Sequence, residues 1–359
     1  MIIKNKEIKK SRKLVFVGLS GGVDSSVSAG LLLEQGYDVV GVFIRTWHPD
    51  FIECNEEEEH RDAMRVAAHL NIPFLTFDLE EEYKKGVADY MIEEYKNGRT
   101  PNPDVMCNKE VKFGAFLNKA LLLGADYVAT GHYAQNIENN LLKAKDPSKD
   151  QVYFLWTLDQ ERLSKILFPV GHLKKTEVRK LANKFKLPVS DKKDSQGICF
   201  LGDIDLKDFL KHYIKEKKGK VLDENSEEIG VHDGAVFHTL GERHGFTITK
   251  KSPNDGAYYV IGKDLKKNIL IVSQNKSISN SNTGAEYRIE NANWIGEAPK
   301  ENKTYMAQIR YHGEFLPCKI NIYGVASAEV AFEKPVLVAC GQSVVLYDND
   351  VCLGGGVVI

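Results

Sequence analysis

Two cysteines in this chain lie among neighbours that could set their reactivity. Cys107 sits in Asn102-Pro103-Asp104-Val105-Met106-Cys107-Asn108-Lys109, just ahead of an apolar-periodic run, with Lys112 also close by. A helix N-terminus and nearby cations lower a thiol pKa from about 8.5 and raise the thiolate fraction at neutral pH. Asp104 precedes that cysteine closely enough to act as a general acid or base once a turn joins them. Cys199 follows Lys192-Lys193 in the loop Asp194-Ser195-Gln196-Gly197-Ile198-Cys199-Phe200. Only the fold can unite the two, and spacing alone leaves a core thiol and a reactive thiol both open for each. A second chemistry is written in Gly18-Leu19-Ser20-Gly21-Gly22-Val23-Asp24-Ser25-Ser26, which follows the apolar run Leu14–Val17. Strand, glycine turn and helix start make an anion site, because free backbone N–H groups and the helix dipole face the ligand. Ser20, Ser25 and Ser26 add hydroxyl donors, and Asp24 is a possible Mg²⁺ carboxylate. No Gly-Lys-Ser/Thr follows, so the pattern is not the Walker loop.

The elements that must position these residues alternate through the first half. Strand-like runs fall at Leu14–Val17, Val39–Ile44, Phe74–Phe77 and Tyr127–Thr130. Helical patterns cover about Ser25–Gln35, Arg61–Leu70, Glu80–Asn97, Lys109–Leu123 and Lys174–Phe185. Such alternation predicts a parallel sheet with helices on both faces and ligands at the strands' carboxyl ends. The turns after Val17, Ile44 and Thr130 would share that edge. A further helix is expected over Leu206–Lys217. Short β-rich runs follow, beginning at Ala235–Thr239 and continuing to Gly354–Val358, which predict a small barrel or sandwich at the C-terminus. Ser273–Thr283 reads as an inter-domain connection, and the acidic run Glu56–Glu59 as a solvated helix start. With 359 residues, 43% of them hydrophobic, two or three domains are expected. A net charge of −2 excludes a polycation, so nucleic-acid contacts must come from local basic patches. The N-terminus lacks a signal-peptide apolar region and no long apolar stretch exists, which predicts a cytoplasmic protein without a membrane span. Six cysteines without any Cys-x-x-Cys argue against a disulfide scaffold, zinc or an iron–sulfur cluster.

Ser20–Ser25 resembles the pyrophosphate loop of the ATP pyrophosphatases, which cleave ATP to AMP and pyrophosphate while adenylating a substrate oxygen. Further blocks appear in order: Thr100–Asp104 with Cys107, Ala129–Tyr133, Lys149-Asp150-Gln151, Asp191–Gly202, Arg310-Tyr311, Gly341-Gln342 and Leu353–Gly356. Together they resemble the tRNA-specific 2-thiouridylase family, from Val15 to the C-terminus. The resemblance implies an α/β fold. A Rossmann-like catalytic domain of the adenine nucleotide alpha hydrolase type, carrying the pyrophosphate loop, would span residues 1–205. A small tRNA-binding central domain would cover 206–281, and a C-terminal β-barrel 282–359. It implies that Gly18, Leu19, Ser20, Gly21, Gly22, Val23, Asp24 and Ser25 bind ATP with Mg²⁺, flanked by Ile44 and Gly131. Asn102, Pro103 and Asp104 would hold the target base, with Cys107 as nucleophile and Cys199 as persulfide carrier. His132, Lys149, Asp150, Gln151, Arg310, Tyr311 and Gln342 match tRNA-contacting positions. Ile44 stands where the family has methionine, and Cys340 where proline is common. The partners implied are tRNAs with U34 (lysine, glutamate and glutamine types), a persulfide donor such as a cysteine desulfurase relay, and a reductant.

The implied chemistry is consistent with these parts. A C2 carbonyl oxygen leaves poorly, and transfer of AMP converts it to a phosphate ester that can depart. Sulfur then arrives from a Cys199 persulfide, by direct attack or after release by Cys107, and either route leaves a Cys107–Cys199 disulfide. The wobble base must be splayed from its stack to reach a pocket. Lys174-Lys175, Arg179-Lys180, Lys184–Lys186 and Lys192-Lys193 are candidate grips on the RNA backbone, or a solvated helix face. Three rivals stand beside this reading: a small-molecule ATP-dependent ligase, an iron–sulfur thiolase and an inactive RNA-binding scaffold.

Overall fold

A computed structural model describes residues 12–52, 55–194, 199, 205–250, 255–275 and 283–359. Cys54, most of the loop around Cys199 and most of the Ser273–Thr283 connection lie outside the described residues. The first strand, β1 (Leu14–Gly18), is an unbroken apolar run with Val15 and Val17 fully buried, as a strand covered on both faces requires. Parallel to it lie β2 (Asp38–Arg45) on one side and β4 (Tyr127–Ala129) on the other, with β3 (Phe74–Asp78) beyond β2. Ile166–Leu167 closes the far edge of this five-stranded parallel sheet. Strand order reverses between β1 and β4, and in open sheets of this kind ligands bind outside the carboxyl ends at such a switch point. The turns after β1, β2 and β4 share this edge, as the alternation predicts.

Helices cover both faces. One face packs α1 (Val23–Glu34), α2 (Glu56–His69) and the helix Lys175–Lys184 around Val27, Ala63, Val66 and Val178. The other carries the helical stretches Glu80–Lys96 and Pro103–Leu122. Its core runs on without a break into Phe209, Phe237, Ile295, Val345 and Tyr347 of the downstream parts. Three expectations need revision. The cysteine-bearing helix starts at Pro103 rather than Lys109, capped by Asn102, whose side chain accepts from the Asp104 and Val105 N–H groups at 3.1 and 3.2 Å. The sequence signal was there, an Asn cap with proline at the first helical position. The helix expected over Leu206–Lys217 ends at Lys211, and Ala235–Phe237 is a tight helical turn instead of a strand.

The downstream chain forms two β units. Glu228–His232, Gly219–Leu222 and Ile269–Ser273 are central to a five-stranded mixed sheet. The strands from Thr283–Trp294 to Val351–Val358 close a six-stranded antiparallel barrel, the first pairing with the last. The short hairpin Gln135–Leu142, which follows β4, adds itself to that barrel through Leu142 opposite Val351. The catalytic part and the barrel therefore share a sheet.

Candidate active site

Gly21 holds φ +70, and a Cβ there would sit 2.5 Å from the Glu59 carbonyl oxygen, so the loop after β1 accepts only glycine at this turn. Ser25 Oγ accepts from the Ser20 N–H at 3.2 Å, and Ser26 Oγ donates to the Gly22 carbonyl at 2.7 Å. No side chain caps Gly22 at the start of α1, so that helix end keeps backbone donors for an anion. Gly131 presses against the loop from the β4 side, where a Cβ would fall 2.6 Å from the Ser25 nitrogen. Ile44 is buried at the end of β2. The residues read as a nucleotide site thus converge on one edge.

Asp24 is already engaged. Both of its carboxylate oxygens lie 2.8 Å from Lys175 Nζ, and Tyr133 OH donates to one of them at 2.9 Å. Lys175 also meets Asp194 at 2.8 Å, and Asp194 pairs in turn with Lys149 at 2.8 Å and Arg179 at 2.6 Å. Burial works against the Asp194 anion, yet the hydrogen bonds from Lys149 and Lys175 hold its carboxyl well below the usual range. The sequence left Lys175 as an RNA grip or a solvated helix face, and the resemblance matched Lys149 to a tRNA-contacting position; in the fold Lys175 is tied to Asp24 and Asp194, and Lys149 to Asp194.

The two thiols meet. Cys107 Sγ donates to Cys199 Sγ across 3.5 Å, and both cysteines are free. Cys107 is fully buried inside the second turn of its helix rather than ahead of it, which reverses the acidity expected there. Burial and the hydrogen bond to Cys199 push the Cys107 thiol up. The same hydrogen bond, against burial and with Lys112 assisting, pulls Cys199 down, so Cys199 is the more acidic of the pair. Lys112 stays charged because the two sulfurs and Asp104 outweigh its own burial. The Cys199 N–H donates to Asp104 Oδ1 at 3.0 Å, and Tyr83 OH donates to the Cys199 carbonyl at 2.8 Å. Burial raises the Asp104 carboxyl, which makes it the readier to hold a proton. Tyr83 was missed at the sequence level, since a tyrosine in an amphipathic helix carries no signal of its own.

The remaining residues divide. His132 is buried, bonded at 2.7 Å to Thr130 Oγ1 and kept neutral by burial and by Lys112. Asp150 accepts from the Ala144 and Val152 N–H groups, and burial pushes it up to about 6. Gln151 Oε1 accepts from the Tyr133 N–H at 3.0 Å. Arg310 is exposed, while Tyr311 leans on Phe154 with ring centroids 4.4 Å apart and feels the charges of Asp150 and Asp104. Gln342 follows Gly341, whose Cβ would meet the Thr100 nitrogen at 2.7 Å, and the Cys340 carbonyl accepts from Thr100 N–H at 2.8 Å. The barrel's last loop therefore seats directly before Asn102. Among the described residues no cluster of three or more His, Cys, Asp or Glu could hold a metal, and no helix is long and apolar enough to cross a membrane.

Comparison with known proteins follows the same division of the chain. Residues 13–203 match the family described as tRNA methyl transferase HUP domain, 207–274 its PRC-barrel domain, and 285–358 an aminomethyltransferase beta-barrel domain. A Francisella philomiragia protein named tRNA-specific 2-thiouridylase is 44% identical over 96% of this chain and 99% of its own length. Proteins of that name from Lacticaseibacillus paracasei and Geobacillus kaustophilus are each 46% identical, over 96% and 97% of this chain and 93% and 95% of their own. The domain descriptions speak of methyl transfer and the full-length relatives of thiolation.

Proposed function

This chain belongs to the tRNA-specific 2-thiouridylase family, and on that premise we propose that it replaces the C2 oxygen of the tRNA wobble uridine with sulfur, using ATP. Methyl transfer needs neither a phosphate loop nor paired thiols, so the site favours the relatives' name over the domain descriptions. The observation that carries the reading is the 3.5 Å approach of Cys199 to Cys107 beside Asp104.

ATP phosphates sit on the amides and hydroxyls of Gly18–Ser25, with the nucleoside between Ile44 and Gly131. Asp24 would be the carboxylate that holds a Mg²⁺ bound with the phosphates, and the ion would supply charge neutralisation of the departing pyrophosphate. The C2 oxygen attacks the α-phosphorus, pyrophosphate leaves, and the uracil carries AMP. Cys199, as the thiolate, takes sulfane sulfur from a persulfide donor protein. Its terminal sulfur attacks C2 and AMP departs, leaving Cys199 linked to the base through two sulfurs. Cys107 then attacks Cys199 Sγ, the sulfur–sulfur bond breaks toward the base, and 2-thiouridine leaves with a Cys107–Cys199 disulfide behind. Release of hydrosulfide by Cys107 before attack on C2 balances equally and gives the same disulfide. A dithiol reductant returns both thiols. Asn102–Asp104 lines the approach to the base, and Arg310, Tyr311 and Gln342 meet the RNA from the barrel. The setting for this chemistry is the cytoplasm, where tRNAs with U34 are found.

The decisive experiment treats tRNA with protein, ATP, Mg²⁺ and a persulfide source, then examines its nucleosides by mass spectrometry. Wild type yields 2-thiouridine with tRNA-dependent AMP. Cys107→Ser and Cys199→Ser each abolish thiolation and leave tRNA affinity within a few-fold. Normal turnover by either variant defeats the two-thiol mechanism, and AMP release without RNA points to a small-molecule ligase.

A further inference from the structure

The phosphate loop of this chain lacks the lysine that Walker loops carry, and its own side chains near the anion site are hydroxyls and one carboxylate. A triphosphate needs a cation there. We infer that Lys175, brought from a helix 151 residues beyond Asp24, is the phosphate-binding lysine of this enzyme, contacting the β- and γ-phosphates of ATP and then the pyrophosphate leaving group. The inference rests on the ATP reading above.

The geometry argues for it in three ways. Lys175 Nζ bonds both oxygens of Asp24 at 2.8 Å, which fixes the ammonium at the first turn of α1, where the anion-binding amides lie. Its side chain is only 14% exposed, so the charge is presented to the loop rather than to bulk water or to a docked RNA. Asp194, itself held by Lys149 and Arg179, grips the same ammonium at 2.8 Å, so Lys175 keeps its place when its bond to Asp24 is exchanged. Asp194 acts as the hub that holds the three in place, and Tyr133 pins Asp24 from the other side. On nucleotide binding, phosphate oxygens take the place of Asp24 as acceptors from Lys175, and Asp194 keeps its hold on the stem.

The test uses full-length protein with intact tRNA. Lys175→Met is expected to raise KM for ATP about tenfold or more, the effect of removing one charged hydrogen bond to phosphate. Inhibition by added pyrophosphate should weaken by a similar factor, while tRNA affinity and its salt dependence stay within twofold of wild type. Lys175→Gln keeps a hydrogen bond to Asp24 without the charge; it is expected to fold as wild type and to show the same rise. Lys175→Arg should recover part of the ATP affinity. An unchanged KM for ATP in Lys175→Gln overturns the assignment, as does a loss of tRNA affinity with ATP binding intact. Equilibrium dialysis of ATP against wild type separates the two levels. If wild type binds no ATP the nucleotide reading itself falls, and if wild type and Lys175→Gln bind it equally only the lysine's role falls.

Discussion

Lys112 is the cation beside both sulfurs, and it assists a difference that the Cys107–Cys199 hydrogen bond sets. Its ammonium lies close enough to Cys199, Cys107 and Asp104 to feel all three, and it lowers the Cys199 thiol while pushing His132 toward neutrality. A thiolate at Cys199 suits capture of sulfane sulfur, and a protonated Cys107 avoids premature disulfide formation until a persulfide is in place. Replacing the lysine by methionine removes a cation from beside an anion, so the Cys199 pKa must rise. The expected outcome for Lys112→Met is an alkylation profile of Cys199 displaced upward by about one pH unit, with slower reaction at neutral pH. Lys112→Arg should restore most of the wild-type profile. Measuring iodoacetamide reactivity against pH checks this, and a profile that does not move removes Lys112 from the account.

At the scale of the element, the site is made by helix starts. Asn102 caps the helix that carries Asp104 and Cys107, and that helix widens into a looser coil over Cys107–Phe116. Such wide turns are common at functional sites because they re-aim side chains. The phosphate loop depends on two glycines for different reasons. Gly21 needs its left-handed backbone, and Gly131 needs the absence of a Cβ against Ser25. Gly21→Ala should therefore cost about 1–2 kcal/mol from backbone strain and also push α2 away through the Glu59 carbonyl. Gly131→Ala carries no such left-handed strain, but its Cβ would strike the Asp24–Ser25 backbone and force β4 and the loop apart. Thermal unfolding and KM for ATP, taken together, check both. The expected pattern is a lower Tm with weaker ATP binding for each variant.

Across the whole molecule, three parts meet at Thr100. Its backbone N–H donates to Cys340 of the barrel at 2.8 Å, and its hydroxyl lies 3.0 Å from Thr239 of the central unit. Trp156 and Tyr153 further bind the barrel through the Ser343 hydroxyl and carbonyl at 3.1 and 3.0 Å. The barrel thereby presents the turn Arg310–Tyr311 beside Phe154, near Asp104 and Asp150. A net charge of −2 leaves RNA affinity to such local cations. Arg310→Ala should weaken tRNA binding and lower its salt slope by about one unit. Binding titrations at several salt concentrations test this, and an unchanged slope means Arg310 touches no phosphate.

Much of this was legible in the residues themselves. Apolar runs and glycine punctuation marked the parallel sheet, because a strand buried on both faces must be continuously apolar and a phosphate loop must be free of Cβ atoms. The blocks around Cys107 and Cys199 marked sulfur chemistry through their resemblance to a known family. Long-range placement was a different matter. That Lys175 turns to the phosphate loop, that the Cys107 thiol is pushed up while the Cys199 thiol is pulled down, and that His132 is buried all follow from which surfaces pack together. Local sequence records the period of a helix or strand, but not the desolvation and distant charges that fix a side chain's acidity. Those arise only when the chain has folded, and here they shift the two thiols in opposite directions.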